Sequence, residues 1–146
     1  MLTTPPVAHV AAHLRLVVAR TARRLRQEAD ADLGPSVISA LATIDRHGPL
    51  TPSELAAHER VQRPTATRVL ARLEEAGLID RAPDPADRRS ALISASTAGR
   101  TLLRRQRSRK DQYLARRLAA LDGDDVATLE RAAAILERML DEEGRR

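Results

Sequence analysis

The sequence predicts a mainly α-helical protein interrupted once by a small β-hairpin. Three observations carry this. Apolar residues recur at three-four spacing along most of the chain. Proline and glycine stand where helices should begin and end. In one stretch, about residues 78–95, two short strand-like runs flank a polar, proline-containing tip.

A first helix is expected from about Val7 to Asp32, after Pro5-Pro6, with Val10, Leu14, Val17 and Leu25 on one face. Gly34-Pro35 announces a second, because proline suits the first helical position. Its apolar residues are Val37, Ile38, Leu41 and Ile44, and His47-Gly48-Pro49 ends it. Thr51-Pro52-Ser53-Glu54 reads as a capping box opening a third helix: the threonine hydroxyl accepts from the glutamate amide while the carboxylate reaches back. A fourth opens at Arg63-Pro64, turns Ala66, Val69, Leu70 and Leu73 inward and stops at Ala76-Gly77, where glycine can close a helix left-handed.

The period then changes. Leu78 to Arg81 and Ala91 to Ala95 are the strand-like runs, and Pro83 to Ser90 forms the charged tip. Thr97 and Gly99 precede a long helix reaching about Leu121. A last helix follows Asp122-Gly123, with Val126, Leu129, Ala133, Leu136 and Leu140 at three-four spacing. No repeat or low-complexity segment interrupts this order.

Composition narrows the possibilities. With 146 residues and 42% hydrophobic content the chain suits one domain with an aliphatic core, since Tyr113 is its only aromatic residue apart from histidine. The formal charge is +5 and Lys110 is the only lysine, so the cations are almost all arginine. A basic balance suits a polyanionic partner, although a GC-rich genome would also favour arginine. The absence of cysteine removes disulfides and thiolate metal sites. No signal peptide and no apolar run of about 20 residues is evident, so the expected location is cytoplasmic, with no membrane partner.

The third and fourth helices are separated by about residues 59–62, the length of a helix-turn-helix connection. In that motif the second helix lies in the major groove. The face opposite its apolar positions presents Pro64, Thr67, Arg68 and Ala71, flanked by Thr65 and Arg72. Arg68 could bond guanine in two places, and Thr65 and Thr67 could reach bases or phosphates. The plain alternative is an amphipathic surface helix with scattered arginines. The tip, Asp84-Pro85-Ala86-Asp87-Arg88-Arg89-Ser90, places two carboxylates beside two guanidiniums. Taken alone, such a charged hairpin reads as a solvated turn; after a recognition helix, a wing could use one aspartate to hold an arginine entering the minor groove.

At these residues the chain resembles the multiple-antibiotic-resistance regulator (MarR) family of winged helix-turn-helix proteins. The matching segments are Leu55-Ala56, Arg63-Pro64-Thr65-Ala66-Thr67-Arg68, and Leu73 through Ile79. The most specific is the tip, close to the family's D-x-x-D-x-R-[SA] pattern. Where the family favours V-x-L-T-x-x-G, this chain has Ile93-Ser94-Ala95-Ser96-Thr97-Ala98-Gly99, with Ala for Leu and Ser for Thr.

The resemblance implies one domain over residues 1–146, with a winged helix-turn-helix at about 35–99 and dimerisation helices at about 7–32 and 100–143. It implies a homodimeric regulator, a repressor of double-stranded DNA targets with a pseudo-palindromic operator. Gln62, Arg63, Pro64, Thr65, Thr67, Arg68 and Arg72 would form the recognition segment. Arg89 would enter the minor groove, Asp87 would orient it, and Arg88 would meet a phosphate. The family also implies a small-molecule effector, for which His13, Arg20, His47 and Tyr113 are the candidates. A winged helix serving only protein–protein contact is the rival reading.

The last helix supports dimerisation independently, because its apolar stripe is wider than one neighbouring helix would cover; the alternative is that the first and fifth helices of the same chain cover it. Catalysis is not expected. His9 and His13 are four apart, but no acidic partner is near, so no metal is expected. His58-Glu59 begins like a zinc-protease motif, yet Gln62 stands where the second histidine must be. No nucleophile motif and no phosphate-binding glycine loop is present, and no cofactor is expected.

Overall fold

The computed structural model describes residues 5–29 and 32–144. In chain order the elements are α1 (Val7–Glu28), α2 (Pro35–His47), α3 (Pro52–Glu59), α4 (Arg63–Glu75), β1 (Ile79–Pro83), β2 (Ala91–Ala95), α5 (Thr97–Ala119) and α6 (Gly123–Glu143). The predicted order of helices and hairpin is the observed one. Tertiary contacts divide the chain into two units, Met1–Lys110 and Asp111–Arg146, with the boundary inside α5.

Several element ends differ from expectation: β1 runs on to Pro83, which pairs with Ala91 and so belongs to the strand and not to the tip, and α5 ends at Ala119 instead of about Leu121. The first helix closes at Glu28, with Ala29 as its C-cap, rather than at Asp32; residues 30 and 31 lie outside those described. The first strand starts at Ile79 because Leu78 still belongs to the end of α4. Its amide donates to Leu73 O at 2.9 Å, and the Gly77 amide donates to Glu74 O at 3.0 Å. These two bonds are a Schellman closure, and Gly77 supplies the left-handed residue at φ 70°. Finally, α5 begins at Thr97 rather than after Gly99, because Ser96 caps it: the Gly99 amide donates to Ser96 Oγ at 3.1 Å.

At Thr51 the first half of the capping box forms as expected, the hydroxyl accepting from the Glu54 amide at 3.2 Å, while the Glu54 carboxylate reaches back to that hydroxyl, accepting from it at 3.2 Å, and not to the Thr51 amide. Asp122 caps α6 by accepting from the Asp125 amide at 2.8 Å.

The core of the first unit is aliphatic. Val37, Ala40, Leu41 and Ile44 of α2 meet Leu55 of α3, Leu70 and Leu73 of α4, Ile79 and Ile93 of the hairpin, and Leu103 of α5. The hairpin is antiparallel, pairing Ile79 with Ala95 through Pro83 with Ala91. Leu50 adds a further rung that the sequence did not reveal, exchanging backbone bonds of 2.7 and 2.9 Å with Ile93. That rung ties the α2–α3 connection to the wing.

In the second unit α6 carries its apolar stripe largely exposed: Leu129 is 48% exposed and Met139 55%. On α1, Val10, Leu14 and Val17 are exposed as well, and only Leu25 and Ala22 are half-buried among its apolar residues.

Gly99 shows how closely the wing root is packed. A Cβ there would lie 2.2 Å from Leu78 O and 3.2 Å from a Leu41 methyl. Backbone cannot retreat as a flexible side chain could, so Gly99→Ala should cost about 1–3 kcal/mol. Gly123→Ala, where nothing lies within 4 Å, is the control. Thermal denaturation should show a lower melting temperature for the first and little change for the second.

Candidate nucleic-acid interface

Burial of Ala66, Leu70 and Leu73 fixes the rotation of α4 about its axis. The opposite face then consists of Gln62, Arg63, Pro64, Thr67, Arg68, Ala71 and Arg72, all exposed. Thr65 departs from this set. It is half-buried and turned toward a small cavity with Ser36, Ala40 and Leu55, so its hydroxyl is less available than that of Thr67. The Thr67 hydroxyl donates to Arg63 O at 3.0 Å, which leaves its oxygen free to accept.

The arginines fall into two groups. Arg63 reaches back to α3 and donates to Ser53 Oγ at 2.7 Å. Arg68, Arg72, Arg88 and Arg89 have no intramolecular side-chain partner among the described residues. Four unengaged guanidiniums on one helix face and one loop tip can form forked bonds to phosphate or to guanine edges without first breaking a protein contact.

The wing tip is ordered by its own carboxylates. Asp84 Oδ1 accepts from the Ala86 amide and Asp87 Oδ1 from the Arg89 amide, each at 2.9 Å. Backbone bonds from Ser90 N to Asp87 O at 3.0 Å and from Asp84 N to Ser90 O at 3.3 Å close the loop. Asp87 therefore holds Arg89 by its main chain, an Asx-turn contact. No ion pair between the two side chains is present among the described residues, which differs from the side-chain hold that the sequence suggested. The wing is also braced against α4, since Arg81 Nε of β1 donates to Glu74 Oε2 at 3.0 Å.

A cavity of about 440 Å³ opens between α1, α2 and α5 within the first unit. Its polar lining is Arg23, Arg26, Gln27, Ser39, Gln106 and Lys110; its apolar lining includes Ala29, Pro35, Ile38 and Ala42. Gln106 is only 6% exposed. Three cations over an apolar floor can hold a small amphipathic anion.

None of the four ligand candidates from the sequence lines this cavity. His13 and Arg20 are exposed on α1, and Tyr113 lies on α5 in the second unit. His47 is stacked on His58, with ring centroids 4.4 Å apart and planes at 17°. The cavity residues come from α1, α2 and their connection together with α5, which lies far from them in sequence, and only the arginine pair 23 and 26, three apart on α1, is a local sign of a basic wall.

Comparison with known proteins agrees with this geometry. The MarR family model matches residues 34–91. An HTH-type transcriptional regulator of Mycobacterium tuberculosis is 39% identical over 136 residues, 92% of this chain and 95% of that protein. The multiple antibiotic resistance protein MarR of Salmonella typhimurium is 34% identical over 100 residues, 68% of this chain and 69% of that one. Among solved structures, a mutant Staphylococcus aureus MepR bound to an oligodeoxyribonucleotide shares the fold, with a TM-score of 0.69 at 23% identity, covering 91% of this chain and 96% of that one. These relatives are transcription regulators and not enzymes. With the helix-turn-helix, its wing and relatives of this kind in hand, the chain belongs to the MarR family of DNA-binding transcription regulators.

Proposed function

We propose that this protein is a homodimeric repressor that binds a pseudo-palindromic double-stranded operator and is released by a small amphipathic anion. The observation that carries the reading is the set of unengaged arginines, Arg68 and Arg72 on α4 with Arg88 and Arg89 on the wing. Positive charge on a helix that fits the major groove, and on a loop that fits the minor groove, is what duplex recognition requires. A module made only for protein contact would not need that arrangement. Such a regulator works in the cytoplasm, beside the chromosome. The first test is a gel shift on DNA upstream of its own gene, with and without competitor DNA.

Dimerisation is supported by the apolar faces of α1 and α6. Leu14 at 38%, Leu129 at 48% and Ile135 at 49% exposure are expensive to leave in water, and a two-fold partner would cover them. A two-fold axis would also set two copies of α4 against two half-sites. In this reading Gln62, Arg63, Pro64, Thr67, Arg68 and Arg72 meet DNA at the major groove, Thr65 from a more recessed position. Arg88 meets a phosphate, and Arg89, held by Asp87, enters the minor groove. For the effector, the cavity of Arg23, Arg26 and Lys110 is better furnished than the four residues suggested by the sequence, because its cations converge on one space.

Three outcomes are expected. Sedimentation at micromolar concentration should show a dimer, and Leu129→Asp or Leu136→Asp should give monomer or aggregate, since each sets a charge in an apolar interface. A folded wild-type monomer under those conditions would overturn the dimer.

On DNA, Arg68→Ala should cost about 1–3 kcal/mol and relax specificity at one position of each half-site, while Arg72→Ala should weaken all sequences alike. If the sequence preference survives Arg68→Ala, the assignment of the reading residue is wrong.

At the wing, Arg89→Ala should remove most operator affinity and leave the dimer folded. Asp87→Asn, which can still accept from the Arg89 amide, should bind the operator at least as well as wild type. Asp87→Ala, which cannot, should bind it more weakly despite losing a negative charge. Simple electrostatics makes both variants tighter. Titration against operator and random DNA at fixed salt separates the two accounts.

A further inference from the structure

The cavity and the end of α3, just before the turn into α4, share one side chain. Ser39 of α2 lines the cavity, and its Oγ also donates to Glu59 Oε2 at 3.0 Å. One turn further along α2, Thr43 Oγ1 donates to the other oxygen, Oε1, of the same carboxylate. Two hydroxyls of α2 thus hold Glu59, the last residue of α3.

That anchor stands at a sensitive place. A carboxylate at a helix C-terminus faces the negative end of the helix dipole, so its position depends on the donors that hold it. The next residue, Arg60, is left-handed at φ 53° and ψ 45°, a conformation that a residue with a Cβ keeps only when its surroundings enforce it. Three residues beyond Arg60, α4 begins. The direction in which α4 leaves the turn therefore depends on how firmly Glu59 is held.

We infer that Ser39 is a positioning residue with two competing acceptors, the Glu59 carboxylate and an anion bound in the cavity. The inference rests on the reading of that cavity as the effector site. A serine hydroxyl has one proton to donate. Arg23, Arg26 and Lys110 draw an anion into the space that Ser39 borders. When the Ser39 proton turns to the anion, Glu59 keeps only the Thr43 donor. The α3–α4 turn then loosens, the two recognition helices of a dimer lose their common register, and operator affinity falls. Linkage makes the effect reciprocal: operator-bound protein binds the anion more weakly by the same factor.

The test uses full-length wild type, Ser39→Ala and Ser39→Thr, with decanoate as the anionic probe and the DNA fragment shifted in the gel assay as target. Alanine is the better helix former, so Ser39→Ala should stay folded. Without ligand, Ser39→Ala should bind the fragment about three- to tenfold more weakly, the worth of one hydrogen bond. Calorimetry should show that it still binds decanoate, yet decanoate should no longer change its DNA affinity. Ser39→Thr, which keeps the hydroxyl, should restore both the affinity and the response; a merely structural serine would leave the decanoate response intact in all three proteins. Amide exchange at residues 60–62 should rise in Ser39→Ala and, on decanoate addition, in wild type. Wild-type DNA affinity in ligand-free Ser39→Ala overturns the inference whatever decanoate does. Failure of decanoate to bind wild type instead removes the effector reading, and the competition at Ser39 falls with it.

Discussion

The Ser96 hydroxyl accepts from the Gly99 amide and donates to the Gly77 carbonyl at 2.7 Å, while the Ser96 amide donates to Leu78 O at 3.0 Å. One buried side chain thus joins the end of α4, the end of β2 and the start of α5. The junction is tight enough that Gly99 has no room for a Cβ, and Leu78, between the two glycines in space, closes α4 and faces the core. The recognition helix and the wing are therefore mounted on the same few hydrogen bonds. Because they share that mount, their separation is fixed by backbone geometry and not by the long side chains at their tips. Serine in place of the family's threonine keeps the hydroxyl that does this, so the departure from the common pattern leaves the junction working.

The two ends of α4 are held by different kinds of interaction. Its C-terminal end has a Schellman closure, the Ser96 contact and the Glu74–Arg81 ion pair, with much of the hold coming from buried backbone bonds. Its N-terminal end depends on side chains near the surface: Arg63 on Ser53, and Glu59 on Ser39 and Thr43. Surface hydrogen bonds are individually worth about 1 kcal/mol and exchange readily with water or ligand. The end of the helix that would meet base edges is thus the adjustable one, and the end that carries the wing is the rigid one.

Much of this was legible in the sequence because it is local. Thr51-Pro52-Ser53-Glu54 and Ala76-Gly77 mark helix ends through contacts within a few residues, and the apolar spacing of α4 fixed which face it buries. The exposed side of that helix followed by subtraction. What depends on distant residues was not legible. The Leu50–Ile93 rung joins segments 43 positions apart, and the cavity collects residues from α1, α2 and α5. Thr65 illustrates a finer limit: it sits at the edge of the apolar arc, and only the packing of α2 and α3 turns it half inward. The Asp87 contact was anticipated as a bond between side chains, whereas the short aspartate reaches the Arg89 amide two residues on instead.

Lys110, the single lysine of the chain, is one of the residues that line the cavity, and every other side-chain cation apart from histidine is a guanidinium. Amine-directed acylation distinguishes the two groups cleanly, because guanidinium is far less nucleophilic than a lysine amine. Besides the chain's amino terminus, such a reagent can modify only a wall of the cavity, leaving the arginines of α4 and the wing chemically intact. The protein thus carries a natural covalent handle at its cavity, through which a tethered probe or a permanent occupant could be installed without altering the arginines of α4 and the wing.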